Sequence, residues 1–112
     1  MGSRAQILIE DEGVYLYTHW GADNLKEDLK AILDTSKARN RWNDPEYLAR
    51  IIFSEMIKND INGETGFGIG SSEHGDIQLL IILNVKDNTI IIKNIFSNRN
   101  KKYSSFQNFI DN

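Results

Sequence analysis

With 112 residues, 40% hydrophobic and 26% charged, the chain has ordinary folded-domain composition and is sized for one core, not two. A formal net charge of −3 gives the molecule as a whole no attraction for polymeric nucleic acid or an anionic membrane, so any bound anion must be met by a local cationic patch. The absence of cysteine excludes disulfides and thiol nucleophiles, and no window holds the roughly eighteen apolar residues a membrane helix needs.

Residues 4–10 (RAQILIE) alternate as a strand does, with Ala5, Ile7 and Ile9 on one face. Asp11, Glu12 and Gly13 form a turn, and residues 14–20 (VYLYTHW) return as the second strand of a hairpin. That strand has two unlike faces: Val14, Leu16, Thr18 and Trp20 on one, Tyr15, Tyr17 and His19 on the other. The second row is either a platform for a planar ligand or a half-exposed aromatic strand face, since these residues favour strands in any case.

Gly21 releases the strand. Asn24 with Glu27 three residues on resembles a capping box, and Leu25, Leu29, Ile32 and Leu33 give the stripe of an amphipathic helix ending near Ser36. Lys37, Arg39 and Arg41 then place three cations in a short connector, which reads as a solvated link or as a local anion-binding patch. Residues 43–60 (NDPEYLARIIFSEMIKND) are the helix around which the rest is organised. Asn43 or Asp44 caps it, Pro45 suits its first turn, and Glu46 favours its positive end. Leu48, Ala49, Ile52, Phe53 and Met56 share an apolar face; Tyr47 and Ile51 fall on the polar side, either to touch a second body or as two exposed apolar residues that need no partner.

Residues 65–70 (TGFGIG), extended, put Gly66, Gly68 and Gly70 on one face. Such a bare strand face admits an aromatic side chain of the same protein or a ligand against the backbone. The stretch matches neither the P-loop nor the dinucleotide fingerprint. Residues 71–76 form a polar turn containing His74. Residues 77–85 (IQLLIILNV) and 89–96 (TIIIKNIF) are the strongest strands, joined by Lys86-Asp87-Asn88; their continuous apolarity calls for helices or another subunit over their faces. Residues 98–102 are a basic and amide segment, and residues 104–111 (SSFQNFID) a short capped helix whose Phe106, Phe109 and Ile110 seal the core.

The order β-β-α-α-β-β-β with a closing helical turn defines an α+β fold: one domain over residues 1–112, an antiparallel sheet of about five strands, and two helices on one face. Residue types disfavour catalysis. The two histidines are far apart and lack acids at ligand spacing, so no metal or other cofactor is expected, and no nucleophile elbow accompanies the serines. Binding is better supported. Asn94, Phe96 and Asn98 share a face of the last strand with Arg99 next to them, offering a ring for a base, amides for its edge and a guanidinium for phosphate. Thr18-His19-Trp20-Gly21 offers a second cluster, with Arg4 and Arg39 as further cations for the same ligand. Against this stand the simpler roles of Phe96 in the core and of the asparagines in a turn.

The opening MGSR, the strand end YTHWG, the helix core YLARIIFSEMI, the strand TGFGIG and the closing SSFQNFI together resemble the first Thoeris anti-defence family of phage and prophage proteins, along nearly the whole chain. The resemblance implies a non-enzymatic sponge in the cytoplasm of the bacterial host. It would sequester, uncleaved, a cyclic ADP-ribose isomer made by bacterial TIR-domain enzymes; some members are linked to cyclic oligonucleotides as well. It also implies a homo-oligomer, dimer or higher, with pockets near protomer interfaces. The alternatives are a phosphodiesterase or glycohydrolase working through His19, and an adaptor binding a host protein through the organising helix.

Overall fold

The computed structural model describes residues 3–112, so Met1 and Gly2 of the opening MGSR lie outside the described residues. In chain order the elements are β1 (Ala5–Ile9), β2 (Val14–Thr18), α1 (Ala22–Leu33), α2 (Ser36–Arg39), α3 (Pro45–Ile57), β3 (Phe67–Gly70), β4 (Leu79–Asn84), β5 (Thr89–Asn94), β6 (Arg99–Tyr103) and α4 (Phe106–Asp111). The fold class is α+β, as expected. The sheet has six strands in the order β3-β2-β1-β4-β5-β6, and one pairing, β1 with β4, is parallel. The sixth strand is the basic segment, which pairs antiparallel with β5 from Ile90–Tyr103 to Asn94–Arg99.

The parallel pair follows from the chain's route. β3 pairs antiparallel to β2 on the sheet's outer side, so it runs parallel to β1 and β4. To begin β4 beside β1, the chain must recross the sheet. The helices occupy one face, and residues 71–77 cross the other. Gln6 holds them there: its Nε2 donates to the Ser72 carbonyl (3.2 Å), its Oε1 accepts from His74 N–H (2.9 Å), and the His74 ring stacks on Tyr17 at 4.5 Å. Gln6 is 1% exposed, and these two bonds satisfy an amide that burial would otherwise penalise.

Strand alternation sorts the core. Ala5, Ile7, Ile9, Leu16, Ile81, Leu83, Ile90 and Tyr103 face the helices and pack against Leu25, Leu29, Leu33, Leu48, Ile52, Phe106 and Phe109. On the opposite face Ile77, Leu80 and Ile82 form a smaller cluster with Leu8, Tyr15, Tyr17 and Ile91, part of it under the crossing segment.

The organising helix is built as its sequence dictates. Asp44 is the N-cap and accepts from Tyr47 N–H, Pro45 opens the helix, and Leu48 and Ile52 are fully buried. Ile51, expected to reach a second body, instead packs half-buried against the protein's own core. Tyr47 is exposed, with the Arg41 guanidinium 4.7 Å from its ring centre. α1 starts earlier than its capping-box residues suggest: Gly21 is the N-cap, and Ala22 N–H donates to the Ser3 carbonyl, which draws Asn24 into the first turn. α1 also stops at Leu33. Thr35 then caps α2, so part of the cationic connector is one helical turn.

Candidate functional site

Thr18, Ala5, Leu79, Asn94 and Arg99 are register partners along one row across the sheet, with Phe67 opposite Thr18. Every nominated residue except Arg39, which lies in α2, therefore stands at or beside a strand end on the same rim. Gln78 knits the middle of that rim, donating through its N–H to the Arg4 carbonyl and accepting at its own carbonyl from Ile95 N–H, both at 2.9 Å. Neighbouring strands are about 4.8 Å apart, which puts the end of β2 about 14 Å from the end of β5. The rim consequently divides into two clusters with Arg4 between them, its guanidinium paired to Asp76 at 3.3 Å.

The β5–β6 hairpin holds Asn94, Phe96, Asn98 and Arg99. It is convex. Phe96 is 76% exposed, so it is no core residue, and both asparagines do turn work: Asn94 Oδ1 accepts from Ser97 N–H, and Asn98 sits at φ +54°. Arg39 lies at the opposite end of the sheet. It pairs with Asp34, donates to Gln107 Oε1 at 2.9 Å and stacks on Trp42 at 4.8 Å, close to Asn40 and Asn88. The structure thus takes Arg39 out of the cluster and gives it a structural role between α2 and α4.

The other cluster borders a cleft of about 540 Å³ between the ends of β2 and β3, α1 and the last turn of α3. This size suits a nucleotide-scale ligand. Trp20, 64% exposed, lies on its rim, with one ring edge over Gly66, where a Cβ would come within 3.1 Å of Cζ3. This is one answer to the bare glycine face: Trp20 covers Gly66, Tyr17 lies beside Gly68, and Gly70 meets nothing. Gly66 also has φ +101°, so a side chain there would be strained as well as crowded. His19 meets Trp20 edge-on at 4.4 Å, and its Nδ1 is 3.3 Å from the Tyr17 hydroxyl.

Leu25, Ile32 and Met56 supply apolar cleft lining, Phe67 a second aromatic ring, and Thr18, Asp28, Glu55, Lys58 and Asn59 the polar groups. Thr18 Oγ1 is already engaged, accepting from Gly21 N–H at 3.2 Å. Glu55 lies between two ammonium groups, Lys37 at 2.6 Å and Lys58 at 3.2 Å. Its hydrogen bonds to Lys37 and then Lys58 hold the carboxyl below the usual glutamate range, against the opposing effect of burial. Lys58, the cation in the cleft's lining, is therefore already paired with a carboxylate that Lys37 also holds.

Of the residues that line this cleft, sequence reasoning nominated Trp20 and did not nominate Phe67, Lys58 or Asn59. The last two stand at the end of a helix, where a polar run reads as solvated. The usable signal was Phe67, the one aromatic inside the glycine-rich strand. Among the described residues no three or more His, Asp or Glu side chains gather as a metal site would require. No protein-family model, curated protein or solved structure matches the chain.

Proposed function

We propose that the protein binds a small molecule carrying a base and phosphates in the Trp20 cleft and holds it without reaction. On the sequence resemblance, the ligand is a cyclic ADP-ribose isomer made by bacterial TIR-domain enzymes, and the outcome is removal of that signal from the cytoplasm of the host. The cleft supports this reading best. It sets two aromatic rings, Trp20 and Phe67, beside Lys58 and Asn59 in a concavity of the right volume.

Stoichiometric capture requires affinity and slow release, not transition-state stabilisation. A base stacked on Trp20 contributes on the order of 1–3 kcal/mol. A charge-assisted bond from Lys58 to a diphosphate contributes about 1.5–3 kcal/mol, less what is lost by displacing it from Glu55. Since about 1.4 kcal/mol is a factor of ten, a few such contacts in a preformed cleft account for tight binding.

The experiment is to mix protein with the cyclic ADP-ribose isomer, remove free ligand, denature by heat and identify what is released. Intact ligand at one equivalent or less per site is expected; release of cleaved products alone rejects sequestration and favours the hydrolase. In titration calorimetry Trp20→Ala is expected to weaken binding at least about tenfold. Glu55→Gln, which frees Lys58 for the anion, should tighten it about twofold to fivefold. An unchanged affinity in both variants would move the ligand out of this cleft.

A further inference from the structure

The two ends of the sheet differ in how they are guarded. β6 carries Arg99, Lys101 and Lys102, the charged residues with which natural edge strands resist pairing. β3 is Phe-Gly-Ile-Gly: no charge, no proline, and Ile69 is 64% exposed. Its backbone is also set for a further strand. His19 N–H donates to the Gly66 carbonyl, and the β2–β3 register alternates from there, so Phe67 and Ile69 turn their N–H and C=O groups away from β2. On the helix side, this edge is continuous with a groove lined by Val14, Ala49, Phe53 and Ile69, whose rim bears Glu12 and Glu46 against Arg50.

We infer that β3 is a homophilic edge, pairing antiparallel with β3 of a second copy about a two-fold axis through Gly68. That register sets Phe67 opposite Ile69 of the second copy, and the reverse, both on the helix side. These are the residues whose backbone groups face outward, and an aromatic opposite a β-branched side chain is a favourable cross-strand pair. Gly68 meets its own counterpart, where side chains approach most closely and glycine offers no obstacle. A four-residue ladder is too small for a stable dimer, which needs roughly 1,200 Å² or more of buried surface. The adjoining grooves supply the rest, and their mixed rim charges allow Glu46 and Arg50 to meet opposite signs across the axis.

Because Phe67 belongs both to this edge and to the Trp20 cleft, the second copy stands beside the proposed ligand site, although the pairing does not depend on what the cleft binds. Sedimentation equilibrium of the ligand-free protein across about 1–100 μM tests it. The dimer mass is expected for the intact chain, and monomer for Ile69→Lys and, independently, for Ile69→Pro, which removes an outward N–H that the second copy needs and none that β2 uses. Circular dichroism matching the intact chain shows that these variants are folded; Ile69→Thr, which keeps the β-branched shape, should retain the dimer. A monomeric wild type, or a dimer unaffected by folded Ile69→Lys, overturns the inference. A monomer that still captures the nucleotide separates this outcome from failure of the functional reading, and a β3-dependent dimer that captures none separates the converse.

Discussion

β3 and β6 close the same sheet on opposite sides and are held to it by different means. β6 ends in Tyr103, 1% exposed, which meets Phe109 edge-on at 5.1 Å and lies under the ammonium groups of Lys26 and Lys101 at 5.7 and 5.0 Å. α4 then locks that side, its N-cap Ser105 accepting from Asn108 N–H and Phe106 N–H donating to Asn88 Oδ1. No residue of β3 is fully buried: Phe67 and Gly68 are half-buried, Ile69 and Gly70 exposed. One edge is charged outside and anchored inside; the other is bare outside and weakly anchored. An edge strand's fate is set by both properties together, since charge repels a newcomer and burial keeps the strand from leaving.

The comparison breaks most visibly at the anchor. Phe109→Ala removes a fully buried ring and is expected to cost about 3–5 kcal/mol in urea denaturation, whereas Phe67→Ala, half-buried at the other edge, should cost well under half of that. Equal losses would mean that β3 is as firmly seated as β6. A subtler change removes the guard alone: Lys101→Thr with Lys102→Thr leaves the packing of Tyr103 and Phe109 largely in place. Species heavier than those of the parent chain are expected in sedimentation velocity, and an unchanged distribution would show that charge is not what protects β6.

The smallest effect concerns the Lys37–Glu55–Lys58 cluster near the β3 side. Its carboxyl has a lowered pKa in the folded state, so its stabilisation is fully present above about pH 4.5 and is lost as pH falls through the lower folded value. Both lysine side chains are more than half exposed, which limits the gain to about 1 kcal/mol per pair. Comparing urea midpoints of the parent and Glu55→Gln at pH 7 and pH 3 checks this: the difference should shrink at the lower pH.

The fold was legible in the chain wherever local pattern and burial agree. The hairpin of β1 and β2, the Asp44-capped α3 and the apolar β4 and β5 follow from alternation, capping chemistry and turn residues. β6 did not, because an edge strand of Arg-Asn-Lys-Lys has only Tyr103 to bury and shows no period. The parallel pairing of β1 with β4 was hidden for a different reason. It depends on which face the chain crosses after β3, a decision made by Gln6 and His74, which are distant in sequence. The candidate cleft was half legible: Trp20 stands at a strand end and announces itself, while Lys58, Asn59 and Phe67 reach the cleft from element ends that mean nothing until α3 is laid over β2 and β3. Arg39 misled because a cation in a connector looks unengaged until Asp34, Trp42 and Gln107 are placed around it.

The pairing of β1 with β4 has a bearing on how the chain acquires its shape during synthesis. Ala5 through Ile9 sit at the middle of the sheet, yet their parallel neighbour runs from Leu79 to Leu83. β1 is thus flanked on one side at once by β2 and must wait on the other until residues 79–83 have left the ribosome. Loop closure over such a distance slows assembly. Until it occurs, β1 has one unpaired edge beside its apolar residues Ile7 and Ile9, a place where another chain could intrude.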